Sequence, residues 1–332
     1  MPELRTASRR ADLAAASQWR EERRLLREDG ELPALQLAVV TDGSDRALAD
    51  QVRASGADII GLLAPDALES LAWAAEAGAD HGYSALDALA ADAVEAACLD
   101  LPMGEACRVA GALLADGLSI VFARPHTPDC GALRELLDAA SAGDTAAVAG
   151  LRTRSWPSVV EAGRLLGEIG ELRQVTVIGW PGGREARAEL CDVIRRTCGD
   201  VVAVCGGVAA MPVRELSPTD PVTLALLTAG GATVVASESS LYRYEDAQLT
   251  FIGSGGRVVL GFDEVRISVP SGVRTIAGLT PSAHPVQVAA EGLRDELSGH
   301  PCAAAGLGDL LAAARIIELA ATSYERDSWV EL

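Results

Sequence analysis

Short apolar runs alternate with amphipathic stretches through the first half of the chain. The run Leu37–Val40 is unbroken, as expected for a parallel strand that is buried on both faces, and a polar turn follows it at Thr41–Asp45. The same rhythm predicts strands at 36–41, 57–63, 94–99 and 118–123, and helices at 44–55, 66–77, 103–116 and 129–142. It therefore predicts an α/β fold that begins with a Rossmann-type parallel-sheet domain over about residues 33–150.

After about residue 145 the pattern changes to consecutive extended stretches. They are predicted as strands at 146–154, 171–180, 200–208, 222–228, 232–237, 247–252, 257–262 and 266–269, with a hairpin turn at Gly253–Gly256. Helices are predicted at 158–167, 182–197, 286–298 and 304–323. A run of strands after a strand–helix repeat predicts a second domain, residues 151–332, of the α+β class with an open, largely antiparallel sheet.

Two features suggest contacts with other molecules. The second sheet has too few helices to cover both of its faces, and its strands at Val222–Leu227 and Thr233–Ala236 are apolar. We therefore expect a homodimer or a higher oligomer that forms through this sheet. Residues 1–32 are polar with sparse apolar positions, and they predict a helical extension that is either solvated or used as a dimer contact or lid.

Composition excludes several functions. The net charge of −19 argues against binding to nucleic acid, which needs clustered basic side chains. The chain contains neither a membrane-spanning apolar run nor a secretory signal, so the expected location is cytoplasmic. All 28 basic residues are arginine, which excludes a Schiff-base lysine and a P-loop lysine. With only four histidines in the chain, no metal site is expected.

The turn after the first strand departs from the dinucleotide fingerprint G-x-G-x-x-G. The three glycine positions hold Thr41, Gly43 and Arg46. Asp42 and Asp45 add negative charge where a pyrophosphate would lie. Ala64 takes the place of the acid that binds the ribose, and the nearby Asp66 is explained as the N-cap of the next helix. Gly43 is therefore a vestigial cofactor contact, and we expect no cofactor, with NAD(P) as the alternative.

Four motifs stand in order along the chain. They are the helix–glycine–strand segment Ala112–Pro125, the Arg-x-x-Pro segment Arg154–Pro157, the Gly-x-Ile-Gly turn in Gly167–Leu172, and the hairpin Leu249–Gly256. In this order and spacing they resemble the Gfo/Idh/MocA family (glucose–fructose oxidoreductase, inositol dehydrogenase and relatives). The resemblance covers about residues 35–332. It implies a Rossmann-type domain followed by a substrate domain with an open sheet.

The family's functional positions carry other residues here. By the resemblance, the lysine of its Glu-Lys-Pro motif falls on Arg124 and the glutamate on Ala123. The helix motif Asp-x-x-x-His-x-x-Asp, which carries the catalytic histidine of the family, falls on Glu185, Glu189 and Asp192. The resemblance implies that this helix and the turn at Arg124 line the same cleft.

The acidic helix positions are candidates for proton transfer. Glu185, Glu189 and Asp192 are spaced i, i+4 and i+7, so they share one helix face. Crowded carboxylates disfavour joint ionisation, so one of them can act as a general acid or base; the alternative is a solvated acidic stripe. His126 is a further candidate base, with a plain loop residue as the alternative. The candidate substrate-binding residues are Arg124, Arg154 and Trp156.

Three functional hypotheses follow from these residues. The first is an enzyme that has lost the NAD(P) site and performs non-redox acid–base chemistry on a small polar molecule, as in a biosynthetic pathway. The second is a non-catalytic partner or sensor subunit. The third is an NAD(P)-dependent oxidoreductase with an atypical site. The first is preferred because the phosphate and ribose contacts of the fingerprint are absent.

Overall fold

The computed structural model describes residues 13–23, 34–45, 47–124, 129–208, 222–281 and 283–332. The chain forms two compact units, which are described separately. The first contains the described residues up to Leu151 together with Ala283–Gly308. The second contains Arg152–Ser282 and Asp309–Leu332. The chain thus returns to the first unit late, in the region of the helix predicted at 286–298.

The described residues form sixteen strands. They are β1 (Gln36–Thr41), β2 (Asp58–Leu63), β3 (His81–Tyr83), β4 (Ala96–Asp100), β5 (Ser119–Phe122), β6 (Ala147–Ala149), β7 (Leu172–Pro181), β8 (Val201–Val208), β9 (Val222–Thr228), β10 (Thr233–Ser239), β11 (Gln248–Gly253), β12 (Arg257–Leu260), β13 (Glu264–Val269), β14 (Gly272–Ala277), β15 (Ala305–Gly306) and β16 (Val330–Glu331).

The described residues also form ten α-helices. They are α1 (13–23), α2 (Leu48–Ala54), α3 (Ala67–Ala77), α4 (Leu86–Ala90), α5 (Met103–Ala115), α6 (Cys130–Gly143), α7 (Pro157–Leu165), α8 (Arg184–Cys198), α9 (Pro285–Leu297) and α10 (Leu307–Arg326). Short 3-10 helices lie at Arg152–Ser155, Leu166–Ile169 and Tyr244–Asp246. No helix within the described ranges is long and apolar enough to cross a membrane.

The first unit is built on a seven-stranded sheet in the order β15-β6-β5-β4-β1-β2-β3. All neighbouring strands are parallel except β15, which pairs antiparallel with β6. Leu37, Val39 and Cys98 are buried, because helices cover both faces of these apolar strands. The predicted parallel sheet is therefore confirmed. Its carboxyl ends bring β1, β4 and β5 side by side.

Aspartate side chains explain where two helices of this unit, α2 and α3, begin. Asp66 caps α3, as predicted, by accepting hydrogen bonds from the backbone N of Leu68 and Glu69. Helix α2 begins four residues later than predicted. Asp42 and Asp45 accept hydrogen bonds from the backbone N atoms two residues further along the chain, at 3.0 and 2.9 Å. Each bond closes an Asx turn, and these two turns take the place of the first predicted helical turn.

Helix α1 is attached to the first unit by two arginine side chains, of which Arg23 donates to the backbone carbonyl of Ala34 at 2.6 Å and pairs with Glu95 at 3.1 Å. Arg20 donates hydrogen bonds to the backbone carbonyls of Ala90, Val94 and Asp116 at 2.6, 2.8 and 3.1 Å. The remainder of the predicted extension, residues 1–12 and 24–32, lies outside the described residues.

The second unit is built on a nine-stranded sheet in the order β14-β13-β12-β11-β7-β10-β9-β8-β16. Its strands are antiparallel except for the parallel pair β7 and β10. The core on one face joins residues of α7, α8 and α10 to buried Trp180 and Phe251. The predicted open, largely antiparallel sheet is confirmed.

Several sequence expectations about strands differ from the structure. The strand predicted at 146–154 ends at Ala149, and the chain turns into a 3-10 helix at Arg152. Gly150 lies against Pro285, whose carbonyl oxygen would be 2.2 Å from an added Cβ. The short strands β3, β15 and β16 and the edge strand β14 were not predicted. Strand β14 is exposed at nearly every position, so its sequence lacks the alternation that marks a half-buried strand.

Candidate functional site

The carboxyl ends of three parallel strands assemble a polar cluster in the first unit. Arg124, just after β5, donates from Nε to Asp100 Oδ1 at 2.5 Å and from Nη2 to Asp42 Oδ1 at 3.0 Å. Nη2 also contacts the hydroxyl of Ser44. Thr41 donates its hydroxyl hydrogen bond to Asp100 Oδ2 at 3.1 Å. The strand ends therefore place two carboxylates around one guanidinium.

The charges in this cluster stabilise one another. Burial tends to raise the pKa of Asp42, but hydrogen bonds from Ser44 and the charge of Arg124 outweigh it, so the pKa is lowered. The hydrogen bond to Asp100 is the largest effect on Arg124 and raises its pKa. The guanidinium nevertheless stays accessible, because 33% of the Arg124 side chain is exposed. A cation that is accessible and held at the ends of parallel strands can bind an anionic group.

A second site surrounds Glu189 in the second unit. This side chain is 0% exposed. Its Oε1 accepts a hydrogen bond from the backbone N of Arg152 at 3.3 Å, and the side chain of Tyr244 is among the groups that act on the pKa of the carboxyl group. Its Oε2 has no hydrogen-bond partner among the described residues. A buried carboxyl oxygen without a partner favours the protonated form.

Burial raises the pKa of Glu189 from 4.5 to about 7. The charge of Arg152 and the hydrogen bonds from Tyr244, Arg152 and Thr153 oppose this effect without cancelling it. The cause differs from the crowding that the sequence suggested, because Glu185 is exposed and Asp192 is paired elsewhere. The three acids share a helix face, but only Glu189 is buried without a full set of partners.

Arg154 and Asp192 are bound to each other. Arg154 Nε and Nη2 donate to the two oxygens of Asp192 at 2.9 and 2.6 Å, and Nη2 also reaches Asp309 Oδ2 at 2.7 Å. Arg195 binds the other Asp309 oxygen at 3.4 Å. This network attaches the 3-10 helix Arg152–Ser155 to α8 and α10. It thereby positions the backbone N that binds Glu189.

Aromatic side chains pack around Tyr244 in the second unit. Trp156, a predicted substrate contact, is buried, and its ring meets Tyr244 and Phe262 edge-on at centroid distances of 5.5 and 5.1 Å. Trp180 meets Tyr244 in the same way at 5.7 Å. The Arg152 guanidinium lies over the Tyr244 ring, 5.0 Å from its centroid. His126, the other predicted base, lies outside the described residues.

The predicted residues within the described ranges fall into two places. Arg124 and Gly43 lie at the carboxyl ends of the first-sheet strands, and the second unit holds Glu185, Glu189, Arg154, Asp192 and Trp156. Sequence reasoning missed Asp100, Arg152 and Tyr244. Asp100 directly follows the apolar run of β4, as Asp42 follows β1, and that signal was available. Arg152 and Tyr244 carry no local signal. In the described part of the chain, metal-ligating side chains form no group of three or more.

Comparisons with known proteins identify the fold. No protein-family model matches the chain, and no curated protein matches it in sequence. Solved structures do match. An NAD-binding oxidoreductase from Klebsiella pneumoniae is 16% identical with a TM-score of 0.75, covering 90% of this chain and 99% of its own. An oxidoreductase from Agrobacterium radiobacter in complex with NAD+, L-tartaric acid and magnesium is 15% identical with a TM-score of 0.75. The match covers 90% of this chain and 98% of that oxidoreductase.

Levoglucosan dehydrogenase in complex with NADH and levoglucosan also matches, with 16% identity, a TM-score of 0.74 and coverage of 90% of this chain and 99% of its own. The chain therefore has the two-domain fold of NAD-binding oxidoreductases, the type of protein that its motifs resemble. The expectation that no cofactor is used was wrong. Proteins of this fold are solved with NAD+ or NADH bound, which points to NAD. The fingerprint alone was a poor guide to the cofactor, because it is confined to the turn after one strand. The ligand site of such a sheet lies at the carboxyl ends of several strands.

The residues at the first-sheet edge fit a dinucleotide in their chemistry. Gly43 has φ of +90°, and the nearest atom to an added Cβ would be Glu69 Oε1 at 3.5 Å, so the turn allows a close approach to its backbone. Arg124 would hold a phosphate. Asp42 and Asp100 already accept hydrogen bonds from this guanidinium and place negative charge beside the phosphate position. Because Arg124 is already shared between these carboxylates, a phosphate must compete with them.

Proposed function

We propose that this protein is an oxidoreductase in which Glu189 transfers a proton to or from a small polar substrate. NAD, when bound at the edge of the first sheet, supplies hydride transfer. The observation that carries the proposal is the burial of Glu189, which raises its pKa to about 7. A general acid or base works best when its pKa lies near the working pH, and an ordinary glutamate is too weak a base at neutral pH.

The position of Glu189 supports the same role. The resemblance places it where the family has its catalytic histidine, whose ordinary pKa is about 6.5. A carboxyl group with a pKa of about 7 can exchange protons over the same pH range. The substitution of histidine by glutamate therefore retains the proton chemistry, provided that burial is retained.

The substrate class is a small polyhydroxylated or hydroxy-acid molecule. The related structures carry levoglucosan and L-tartaric acid. The proposal is tested by following NADH formation while the protein is supplied with NAD+ and a panel of anhydrosugars, polyols and hydroxy acids. NADH formation that Glu189→Gln abolishes would support it. Turnover that Glu189→Gln leaves unchanged would refute the role of Glu189.

A second candidate is non-redox proton transfer, such as isomerisation or elimination, at the same glutamate. The observation that favours it is the engagement of Arg124 by two carboxylates, which opposes phosphate binding. Product formation without any change in NADH absorbance, again dependent on Glu189, would select this candidate. If no assay detects either reaction, the result would favour the partner or sensor hypothesis.

Asp42→Asn should tighten the binding of NADH by roughly tenfold, which corresponds to about 1.4 kcal/mol. The change removes a negative charge that repels the pyrophosphate and competes for Arg124. Fluorescence titration with NADH measures the effect. Asp50→Asn is the control, because it removes a carboxylate that pairs with Arg53 on helix α2 and does not bind Arg124. Unchanged or weaker binding by Asp42→Asn would contradict the proposed placement of the phosphates.

We also propose that two copies associate through the outer face of the nine-stranded sheet. Ile178, Val235 and Ile252 project from three neighbouring strands and are exposed, Ile178 by 56%. These side chains share one face of the sheet, interspersed with polar residues, and a sheet face that exposes apolar side chains is typical of an interface. Ile178→Arg should convert the dimer into a monomer in light-scattering measurements, whereas Val160→Arg, on helix α7, should not. A wild-type monomer at micromolar concentration would rule out this association.

A further inference from the structure

A cavity lies in the first unit at the edge of the sheet opposite to Arg124. Its volume is about 540 Å³, and pockets for small molecules typically span roughly 300–1,000 Å³. Its lining includes Glu95, directly before β4, and Ser119, the first residue of β5. The remaining lining comes from helix α1, from the turn between α6 and β6, and from the end of α9. The proposed function makes no use of this cavity.

Helix α1 contributes one of its faces to the cavity. The lining positions of this helix recur at helical spacing, which puts them on the same side: Ala14, Ser17, Gln18 and Glu21. The helix is held beside the sheet by Arg20, whose guanidinium donates to three backbone carbonyls. A polar helix face is therefore fixed along one side of the cavity.

Two buried polar side chains lie at the strand ends within the lining. The Glu95 side chain is 6% exposed, and its Oε2 accepts a hydrogen bond from the backbone N of Gln36 at 2.9 Å and pairs with Arg23 at 3.1 Å. Ser119 is 3% exposed, and its Oγ accepts a hydrogen bond from the backbone N of Ala146 at 3.2 Å. These partners hold a carboxylate and a hydroxyl in fixed positions, as a binding site requires.

The ends of three helices make the cavity negative. Helices α5, α6 and α9 end at this edge of the sheet, at Ala115, Gly143 and Leu297. A helix C-terminus carries a partial negative charge of roughly half an elementary charge, which favours cations nearby. Glu21 and Asp144 add two carboxylates to the lining, and both residues are exposed to the cavity side of the surface. The site is therefore suited to a cation.

The arginines at this site do not reverse its sign. The three donor nitrogens of Arg20 already bind backbone carbonyls, at 2.6 to 3.1 Å. The charge of Arg23 is matched by Glu95. The sign of the cavity is therefore set by Glu21, Asp144 and the helix ends.

We propose that this cavity binds a small organic cation that carries a primary ammonium group together with hydroxyl groups. An ammonium group donates three hydrogen bonds and accepts none, which suits carboxylates and the carbonyl groups of helix ends. Ser17, Gln18 and Thr145 supply the side chains that pair with hydroxyl groups. The site lies at the amino ends of the strands, so the ligand and a dinucleotide at the carboxyl ends can be bound together.

Glucosamine is the probe for this site, and glucose is its neutral counterpart, with a hydroxyl in place of the ammonium. In slightly acidic buffer, where the amine is protonated, glucosamine should raise the melting temperature in a saturable manner, because a ligand of the native state stabilises it. Glucose should give no such rise. Hydrogen exchange should slow in the peptide that contains α1, which assigns the binding to this cavity.

Asp144→Asn tests the charge without disturbing the turn. Asp144 has φ of +49°, a left-handed conformation that asparagine also adopts readily. The variant should weaken the binding of glucosamine by roughly tenfold, because a charge-assisted hydrogen bond is lost. Asp138→Asn is the matched control: Asp138 lies on α6 as well, but it does not line the cavity, so its removal should leave the binding unchanged.

Three results would overturn the proposal. One is the absence of a saturable shift with glucosamine, and another is an equal shift with glucose. The third is equal weakening by Asp138→Asn and Asp144→Asn, which would show that glucosamine responds only to the net charge of −19. None of these results affects the proposed role of Glu189, because that residue lies in the second unit.

Discussion

Glu189→Gln should lower kcat by roughly 10²-fold or more, because it removes the group that transfers the proton. Glutamine keeps the size and shape of the side chain but cannot take up or release a proton. The loss should therefore fall on kcat rather than on KM. Steady-state kinetics on the substrate identified from the panel measures it. An unchanged kcat would assign the buried carboxyl a structural role.

The same substitution has a second, independent consequence for folding. Glu189 has an ordinary pKa of 4.5 in the unfolded chain and about 7 in the folded protein. Between these values the native state holds a proton that the unfolded state has lost. The contribution of this group to stability is therefore fully present below pH 4.5 and is lost as pH rises through about 7. The loss amounts to about 3 kcal/mol.

Glutamine imitates the protonated form, so Glu189→Gln should be as stable as the wild type in acid and more stable above pH 7, by up to about 3 kcal/mol. Urea unfolding across this pH range measures the difference. Glu185→Gln is the matched control, because this exposed glutamate lies one turn earlier on the same helix, and it should follow the wild-type curve. Parallel curves for the wild type and Glu189→Gln would show that Glu189 is ionised when folded.

The fold was predictable wherever the chain repeats a strong pattern. The buried strand β1 and the capped helix α3 have the bounds that their apolar runs and the Asp66 cap suggest, within one residue. The pattern failed at short or exposed elements. Strand β14 lies at a sheet edge where no face must be apolar. The start of α2 depended on side chains that bind the backbone of the turn, which periodicity does not register.

The candidate site was only partly predictable, because the sequence pattern does not show how deeply a side chain is buried or which distant residues come together. Helical spacing puts Glu185 and Glu189 on one face, but it does not reveal that the first is exposed and the second is buried. That difference in depth, rather than mutual repulsion, raises the pKa of Glu189. Tyr244 follows Glu189 by 55 positions in the sequence, so only the folded chain brings the two together. The cofactor expectation failed because it relied on one turn of a site that several strands build.

We expect the buried ion pair between Arg154 and Asp192 to contribute strongly to the stability of the site around Glu189. Burial alone lowers the pKa of Arg154, but the hydrogen bonds and charges of Asp192 and Asp309 outweigh it, and the pKa is raised. The side chains of Arg154 and Asp192 are only 6% and 1% exposed. Removing one member of such a pair leaves the other charge buried without a partner, which is far more costly than losing a surface ion pair.

Arg154→Met should therefore lower the free energy of unfolding by about 3–5 kcal/mol. Methionine keeps most of the volume of the side chain, so the loss reports the uncompensated charge of Asp192 rather than a cavity. Chemical denaturation at neutral pH measures it. Arg274→Met is the matched control: Arg274 binds Glu168 at 2.7 and 2.8 Å, but both side chains are exposed, so the expected loss is about 1 kcal/mol or less.

The double variant Arg154→Met with Asp192→Asn isolates the cause. Asparagine removes the buried charge, so the double variant should recover a substantial part of the stability that Arg154→Met loses. Equal losses in the single and double variants would mean that Arg154 acts through packing. The position of Arg152 gives a further consequence. If the network holds the 3-10 helix in place, Arg154→Met should also change the pKa of Glu189, because the backbone N that binds its carboxylate would move.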